Sequence, residues 1–170
     1  MGRPKALVVD GAGEPWLARS VEVLHEGGCE EVTVVLGAAV DEAVRLLDGR
    51  GADVVVARDW AEGMSASLRA GLAALPPVDA ALVHLVDLPD VTAAVVRRVA
   101  AAATGRATLA RASYAGVPGH PVLLGRDHWA PVVADAVGDQ GARQYLRDRE
   151  VALVECGDLA SGADVDRAPS

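Results

Sequence analysis

Apolar and polar positions along the chain alternate between two periods. At 14–28, Leu17, Val21 and Leu24 recur at helical spacing behind Pro15, and Gly27-Gly28 ends the run. At 31–36 the order changes to a short β-branched run, Glu-Val-Thr-Val-Val-Leu, closed by Gly37, which is the pattern of a buried strand. The same alternation continues with helices at 41–47, 63–75 (closed by Pro76-Pro77) and 91–103, and strands at 52–57, 80–86, 107–112 and 151–154. The run at 80–86 is the most continuously apolar. Helix and strand in turn, with short connections, predict an α/β domain built on a mainly parallel sheet. No internal repeat or low-complexity linker divides it, so one domain is expected over 1–170, with a fraying Gly/Ala/Asp/Pro-rich tail from Ser161.

Composition narrows the function. The chain is 51% hydrophobic, mostly Ala, Val and Leu, with no Phe and 3% aromatic residues. That suits a Val-rich sheet under Ala/Leu helices and opposes single-stranded nucleic-acid binding, which needs stacking aromatics and a basic groove. The formal net charge of -8 argues in the same direction, and against an anionic membrane surface. An acidic protein still binds a triphosphate where a few basic groups and a divalent cation converge. Cys29 and Cys156 are too few for a disulfide framework or a zinc motif and read as reduced thiols. With no signal peptide and no apolar run of membrane-spanning length, a cytoplasmic protein without a membrane partner is expected.

In an open α/β sheet, ligands collect beyond the carboxyl ends of the strands. Leu85-Val86-Asp87-Leu88-Pro89-Asp90 puts a carboxylate at the end of the most apolar strand. Asp87 there either caps the next helix or serves as one of the few carboxylates that magnesium takes beside phosphate oxygens and water. Asp90 stands where a helix N-cap is needed. In the segment running from Asp59 through Trp60, Gly63, Ser65 and Ser67 to Gly71, a small-residue helix start offers free N–H groups and hydroxyls to a polar ligand. Its alternative is structural: Ser65 and Ser67 as caps, Trp60 packing a loop. In Gly116-Val117-Pro118-Gly119-His120-Pro121-Val122, followed by Gly138-Asp139-Gln140-Gly141-Ala142-Arg143, a lone His between Gly and Pro is usually a loop residue with no chemical duty. Arg126 and His128 add basic candidates that a solvated helix start explains equally. Asp164 and Asp166 form one further carboxylate pair, and Gly2-Arg3-Pro4-Lys5 opens the chain. No Ser-His-Asp order, Cys-His pair or His-Glu-x-x-His motif is present.

Taken in order, these segments resemble the MobA-like nucleotidyltransferases. The opening is similar to the second half of the family's L-A-A-G-x-S-x-R-M-G-x-P-K signature, with the strand and glycine turn absent. The segment at Asp87 resembles its D-x-P-D, whose first aspartate binds the catalytic magnesium. That from Trp60 resembles W-x-x-G-M-x-x-S-L-x-x-G, which borders the base and ribose, although Ala57 and Arg58 stand where the family often has Asn. The G-H-P-V and G-D-x-G-A pair is similar to the acceptor-side signature of the molybdenum cofactor cytidylyltransferase subgroup. Asp164-Val165-Asp166-Arg167-Ala168-Pro169 looks like a degraded D-I-D-T-P-E-D that supplies a second metal ligand, carried here by Asp164.

The resemblance implies a three-layer, Rossmann-like fold of the nucleotide-diphospho-sugar transferase type, with helices on both faces of the sheet. It implies Mg2+-dependent transfer of CMP from CTP, or of another nucleoside monophosphate, to a molybdopterin cofactor with release of pyrophosphate. Lys5 would neutralise the triphosphate and Asp87 hold the metal. Trp60, Gly63, Ser65, Ser67, Leu88 and Pro89 would line the nucleotide, and His120 and Arg143 the pterin phosphate. A molybdoenzyme would receive the product. The second acceptor considered is a sugar-1-phosphate or other small phosphate. The rival of another class is a non-catalytic nucleotide- or cofactor-binding protein or truncated pseudoenzyme, favoured by the missing glycine turn and opposed by Lys5 and Asp87.

In the family fold the missing strand lies centrally, between those at 31–36 and 80–86. At roughly 1 kcal/mol net per hydrogen bond, its loss rivals a domain's stability of about 5–15 kcal/mol. The expectation is a natural start upstream of Met1. This form would then be poorly soluble or unable to hold nucleotide until an apolar strand and glycine turn are restored.

Overall fold

The computed structural model describes residues 4–165. Pro4 leads into a 3-10 turn at Lys5–Leu7. There follow α1 (Trp16–Glu26), β1 (Val32–Leu36), α2 (Val40–Leu46), β2 (Ala52–Val56), α3 (Met64–Ala74), β3 (Ala80–Val83) and α4 (Ala93–Ala100). The second half adds β4 (Leu109–Tyr114), β5 (Val117–Gly125), α5 (Trp129–Asp135), α6 (Arg143–Arg147) and β6 (Ala152–Glu155). The expected helix and strand alternation is present, each shared element within a few residues of its expected bounds. Helix α1 ends as its sequence demands: Cys29 N–H donates to the Leu24 carbonyl and Gly28 N–H to that of His25, with Gly28 at φ +101°. That left-handed stop favours glycine.

The strands form two sheets. β1 and β2 pair in parallel, and β3-β5-β4-β6 make the second sheet in that order. β3 and β4 both run antiparallel to β5, and β6 runs parallel to β4. β3, β4 and β6 therefore share one direction, and β5 alone opposes them. Among the described residues β1 has β2 as its only partner and β3 has only β5. The sheet thus comes in two pieces, with one open edge on β1 and one on β3.

Three apolar clusters give three layers. Val95 and Val99 of α4, with Leu88 and Val91, pack on Ala110, Ala112 and Leu123 at one face of the large sheet. Leu72 of α3, Trp129 and Val132 of α5, and Tyr145 and Leu146 of α6 cover Leu109, Val122 and Leu124 at the other. The small sheet buries Val32, Val34 and Leu36 against Leu17 and Val21 of α1, Ala43 of α2, and Leu7.

Three expectations change. His120 is not a loop residue: 117–125 is one of the two central strands of the large sheet, paired on both sides. Pro118 and Pro121 disguise it. Pro118 lies beyond the irregularity between Arg111 and Ser113, opposite Ser113, and Pro121 lies just past the end of the β3 ladder at Val83 and Val122. Strand β3 correspondingly stops at Val83 rather than at 86. Pro121 has no N–H to offer the next rung. Asp90 is also not the N-cap of α4, which is Thr92. Its carboxylate instead accepts the Ser161 N–H and hydroxyl at 2.6 Å each, tying the C-terminal segment down.

Candidate functional site

The turn after β3 carries the site. Asp87 projects from it with its side chain 14% exposed, and Lys5 Nζ donates to its Oδ2 at 2.5 Å. The 3-10 turn that holds Lys5 packs Leu7 into the small-sheet cluster, so the ion pair bridges the two sheets. Val165 N–H donates to the Asp87 carbonyl at 2.9 Å, which lays the C-terminal segment along the turn and brings exposed Asp164 beside it. Asp166 lies outside the described residues.

Two histidines lie within electrostatic reach of Asp87. His84 precedes it by one turn, and its Nδ1 is buried without a hydrogen-bond partner among the described residues. It borders a cavity of about 10 Å3 shared with Trp16 and Pro89. Burial first, then His120 opposite, depresses its pKa to about 4 against the pull of the Asp87 carboxylate. His120, on β5, is also brought to about 4, by burial first, then by Arg111, with Arg143 adding to it and Asp87 opposing. Both imidazoles are therefore neutral at pH 7. The His120 carbonyl accepts the Tyr114 hydroxyl at 2.6 Å, which fixes the strand there.

The second half of the site is a docking of two chain segments. Trp60 stands 47% exposed with its ring packed over Gly37. Gly63 takes φ +111° against the backbone of Gly138, where a Cβ would fall 2.6 Å from the Gly138 carbonyl carbon. Met64 N–H donates to Asp139 Oδ1 at 3.3 Å and Gly141 N–H to Ser65 Oγ at 3.2 Å. Arg143 opens α6 directly beyond, exposed. The W-x-x-G-M and G-D-x-G-A segments thus form one continuous rim.

The expected residues divide on this geometry. Lys5 pairs with Asp87, His120 lies within electrostatic reach of both Asp87 and Arg143, and the chain at Asp164 is brought beside the Asp87 turn. Trp60 and partly exposed Ser67 are available on the rim. Ser65 is corrected: it is fully buried, and its hydroxyl holds Gly141 rather than facing a ligand. Leu88 is corrected too, being 5% exposed and part of the α4 core, while Pro89 lines the small cavity. Arg126 and His128 belong to packing: Arg126 donates to the Pro76 carbonyl and lies over the Trp129 ring, and His128 Nε2 donates to the Ala107 carbonyl. Sequence reasoning missed His84 and Arg111, whose place shows only once strand register is known.

Among the described residues no three His, Cys, Asp or Glu groups are placed to hold a metal by themselves. Asp87 with Asp164 fits the sparser mode of a magnesium-like ion, which takes one or two carboxylates and completes its shell with phosphate oxygens and water. No helix among them is long and apolar enough to cross a membrane.

A carboxylate and a lysine joined at the strand ends of a three-layer α/β fold, rimmed by a glycine-bounded helix start, define a nucleotidyltransferase-type architecture. The MobA-like NTP transferase domain matches residues 1–154, and the chain belongs to that family. Nicotine blue oxidoreductase of Paenarthrobacter nicotinovorans is 34% identical over 175 residues, covering 98% of this chain and 85% of that protein. The crystal structure of the Mycobacterium tuberculosis Rv0371c homologue from Mycobacterium sp. strain JC1 superposes with a TM-score of 0.85 at 28% identity, covering 98% of this chain and 84% of that one. The Mycobacterium tuberculosis Rv0371c complex with manganese gives a TM-score of 0.80 at 27% identity, over 96% of this chain and 88% of that one.

Proposed function

We propose that this chain is a metal-dependent nucleotidyltransferase whose triphosphate lies along the turn of Asp87. The observation that carries the reading is the Lys5–Asp87 pair at 2.5 Å, in reach of His120, which in turn feels Arg143. Without nucleotide the two charges satisfy each other. When a triphosphate enters, Lys5 exchanges Asp87 for phosphate oxygens as a point charge. That frees the Asp87 carboxylate, with Asp164, for Mg2+ or Mn2+. The ion, when bound, supplies charge neutralisation at the phosphates. An acceptor phosphate oxygen on the His120 and Arg143 side attacks the α-phosphorus, the bond from that phosphorus to the bridging oxygen breaks, and pyrophosphate leaves. Such a transfer rests on positioning and electrostatics rather than on a covalent enzyme intermediate. Trp60 and Ser67 border the base and ribose. By its acceptor-side motifs the chain uses CTP and a molybdopterin phosphate and passes the product to a molybdoenzyme.

The name of the curated relative supports a second reading, in which the cleft serves a redox reaction on nicotine blue or a similar dye. Both readings are tested by supplying each of the four common nucleoside triphosphates, Mg2+ or Mn2+, and molybdopterin or a sugar-1-phosphate, and measuring pyrophosphate. Release with one triphosphate, dependent on acceptor, is expected. Loss of dye colour with NADH or NADPH, and no pyrophosphate under any combination, would overturn the transferase reading.

A further inference from the structure

Arg111 lies within β4, on the face that also carries Leu109, under the layer that includes α6. It is half-buried, its Nε donates to the Gly119 carbonyl at 3.1 Å, and no carboxylate pairs with it among the described residues. By contrast Arg50, Arg69, Arg98 and Arg106 each have an acidic partner. Exposed Arg143, first in α6, has no carboxylate partner among the described residues either. Burial, and Arg143 after it, push the Arg111 guanidinium below its ordinary pKa, so the two cations stand close enough to repel. Taking one cation partly out of water and setting another beside it costs free energy that the single Gly119 bond offsets only in part. Such an arrangement is stabilised when an anion arrives, and more strongly because a planar guanidinium meets a phosphate with two parallel hydrogen bonds.

We propose that Arg111 and Arg143 form a phosphate-binding subsite beside Asp87, for a phosphate monoester or pyrophosphate group. The Gly119 bond holds the Arg111 stem, leaving its terminal amines as donors, and neutral His120 adds a hydrogen-bonding group rather than a third charge. The assignment of this phosphate to the acceptor rests on the transferase reading, but anion binding itself does not.

The test is calorimetric titration of inorganic pyrophosphate, and separately of inorganic phosphate, into the Met1–Ser170 chain in metal-free, low-salt buffer. Arg111→Met and Arg143→Gln should each weaken pyrophosphate binding about tenfold or more, and Arg111→Lys only a few-fold. Arg111→Met should also melt at an unchanged or higher temperature, because an uncompensated charge has gone. A structural Arg111 moves the opposite readouts. Wild-type affinity in Arg111→Met, or a lower melting temperature that Arg111→Lys restores without affecting affinity, would overturn the subsite. Anion binding lost in Arg111→Met while the wild type releases no pyrophosphate from any triphosphate would support the subsite and count against the transferase reading alone. Pyrophosphate release in Arg111→Met with an unchanged acceptor KM would overturn the acceptor assignment.

Discussion

The small sheet is built from Val-rich strands and the large one from strands that mix Ala, Leu and Val, and the two stand in different situations. The large sheet pairs its central strands β4 and β5 on both sides and is covered on both faces by buried clusters. Its β4–β5 turn is held by one carboxylate: Glu155 accepts the Ser113 hydroxyl and the Ala115, Gly116 and Gly157 amides. Those bonds draw the Glu155 pKa down to about 2, the Gly116 amide contributing most. The small sheet has two strands, an open β1 edge, and Val56 of β2 at 46% exposure. The difference separates two tasks. The groups proposed to bind an anion belong to the fully supported sheet and its cover, Arg111 on β4, His120 on β5 and Arg143 on α6, whereas Lys5 reaches Asp87 from a turn packed on the other sheet. Phosphate affinity should therefore be a property of the large sheet alone, and metal-dependent turnover a property of the join.

The largest expected effect is at that join. Asp87→Asn should lower metal-dependent turnover by roughly 10²–10³-fold, the scale of removing one well-placed electrostatic group. Pyrophosphate affinity and melting temperature should stay near wild type, and undiminished turnover would remove Asp87 from the metal site. A further test supplies the open edges of β1 and β3 with a partner: an apolar strand and glycine-rich turn fused ahead of Met1. The fusion should raise the melting temperature and tighten triphosphate binding while leaving metal-free pyrophosphate affinity unchanged. Pyrophosphate affinity that rises along with it would break the division of labour.

Packing variants probe the same contrast. Leu124→Ala, at a fully buried position of the large sheet, should cost about 2–5 kcal/mol in urea unfolding. Leu36→Ala in the small sheet should cost less, because a strand with an open edge relaxes around the deletion. Equal costs would mean that the small sheet is held as rigidly as the large one.

Acid should act through His84 and His120. Both are depressed to about 4, so between about 6.5 and 4 the unfolded chain binds protons that the folded one does not. Stability should be full above pH 6.5 and fall as the pH approaches 4, and His120→Asn should flatten that slope. Glu155 has the opposite protonation chemistry but the same sign: its contribution is present above pH 4.5 and lost toward pH 2. The smallest effect is expected from Glu155→Gln, which should speed hydrogen exchange at the Ala115 and Gly116 amides and leave Asp87-dependent turnover alone.

Much of this fold was legible because β1 and β2 are short Val-rich runs, β3 is wholly apolar, and α1 ends in Gly27-Gly28. Strand β5 was hidden because local turn chemistry at Pro118, Gly119 and Pro121 contradicts a tertiary setting that tolerates it. The order of the motifs gave Lys5 and Asp87, which the folded chain pairs across 82 positions. Periodicity gives no sign that Ser65 turns inward to Gly141 or that Leu88 enters the α4 core, since both depend on how the segments dock. Arg111 reads as an interruption of an apolar strand. Only the register, opposite Val122 and Leu153, reveals which neighbours it meets.

The exchange of partners by Lys5 is the central claim, and a crystal structure of the chain with Mn2+ and a non-hydrolysable CTP analogue tests it most directly. The account predicts an anomalous manganese peak held by Asp87 and Asp164, with Lys5 Nζ moved from Asp87 Oδ2 onto the phosphate oxygens. A nucleotide bound elsewhere, with the Lys5–Asp87 pair still closed at 2.5 Å, would contradict it.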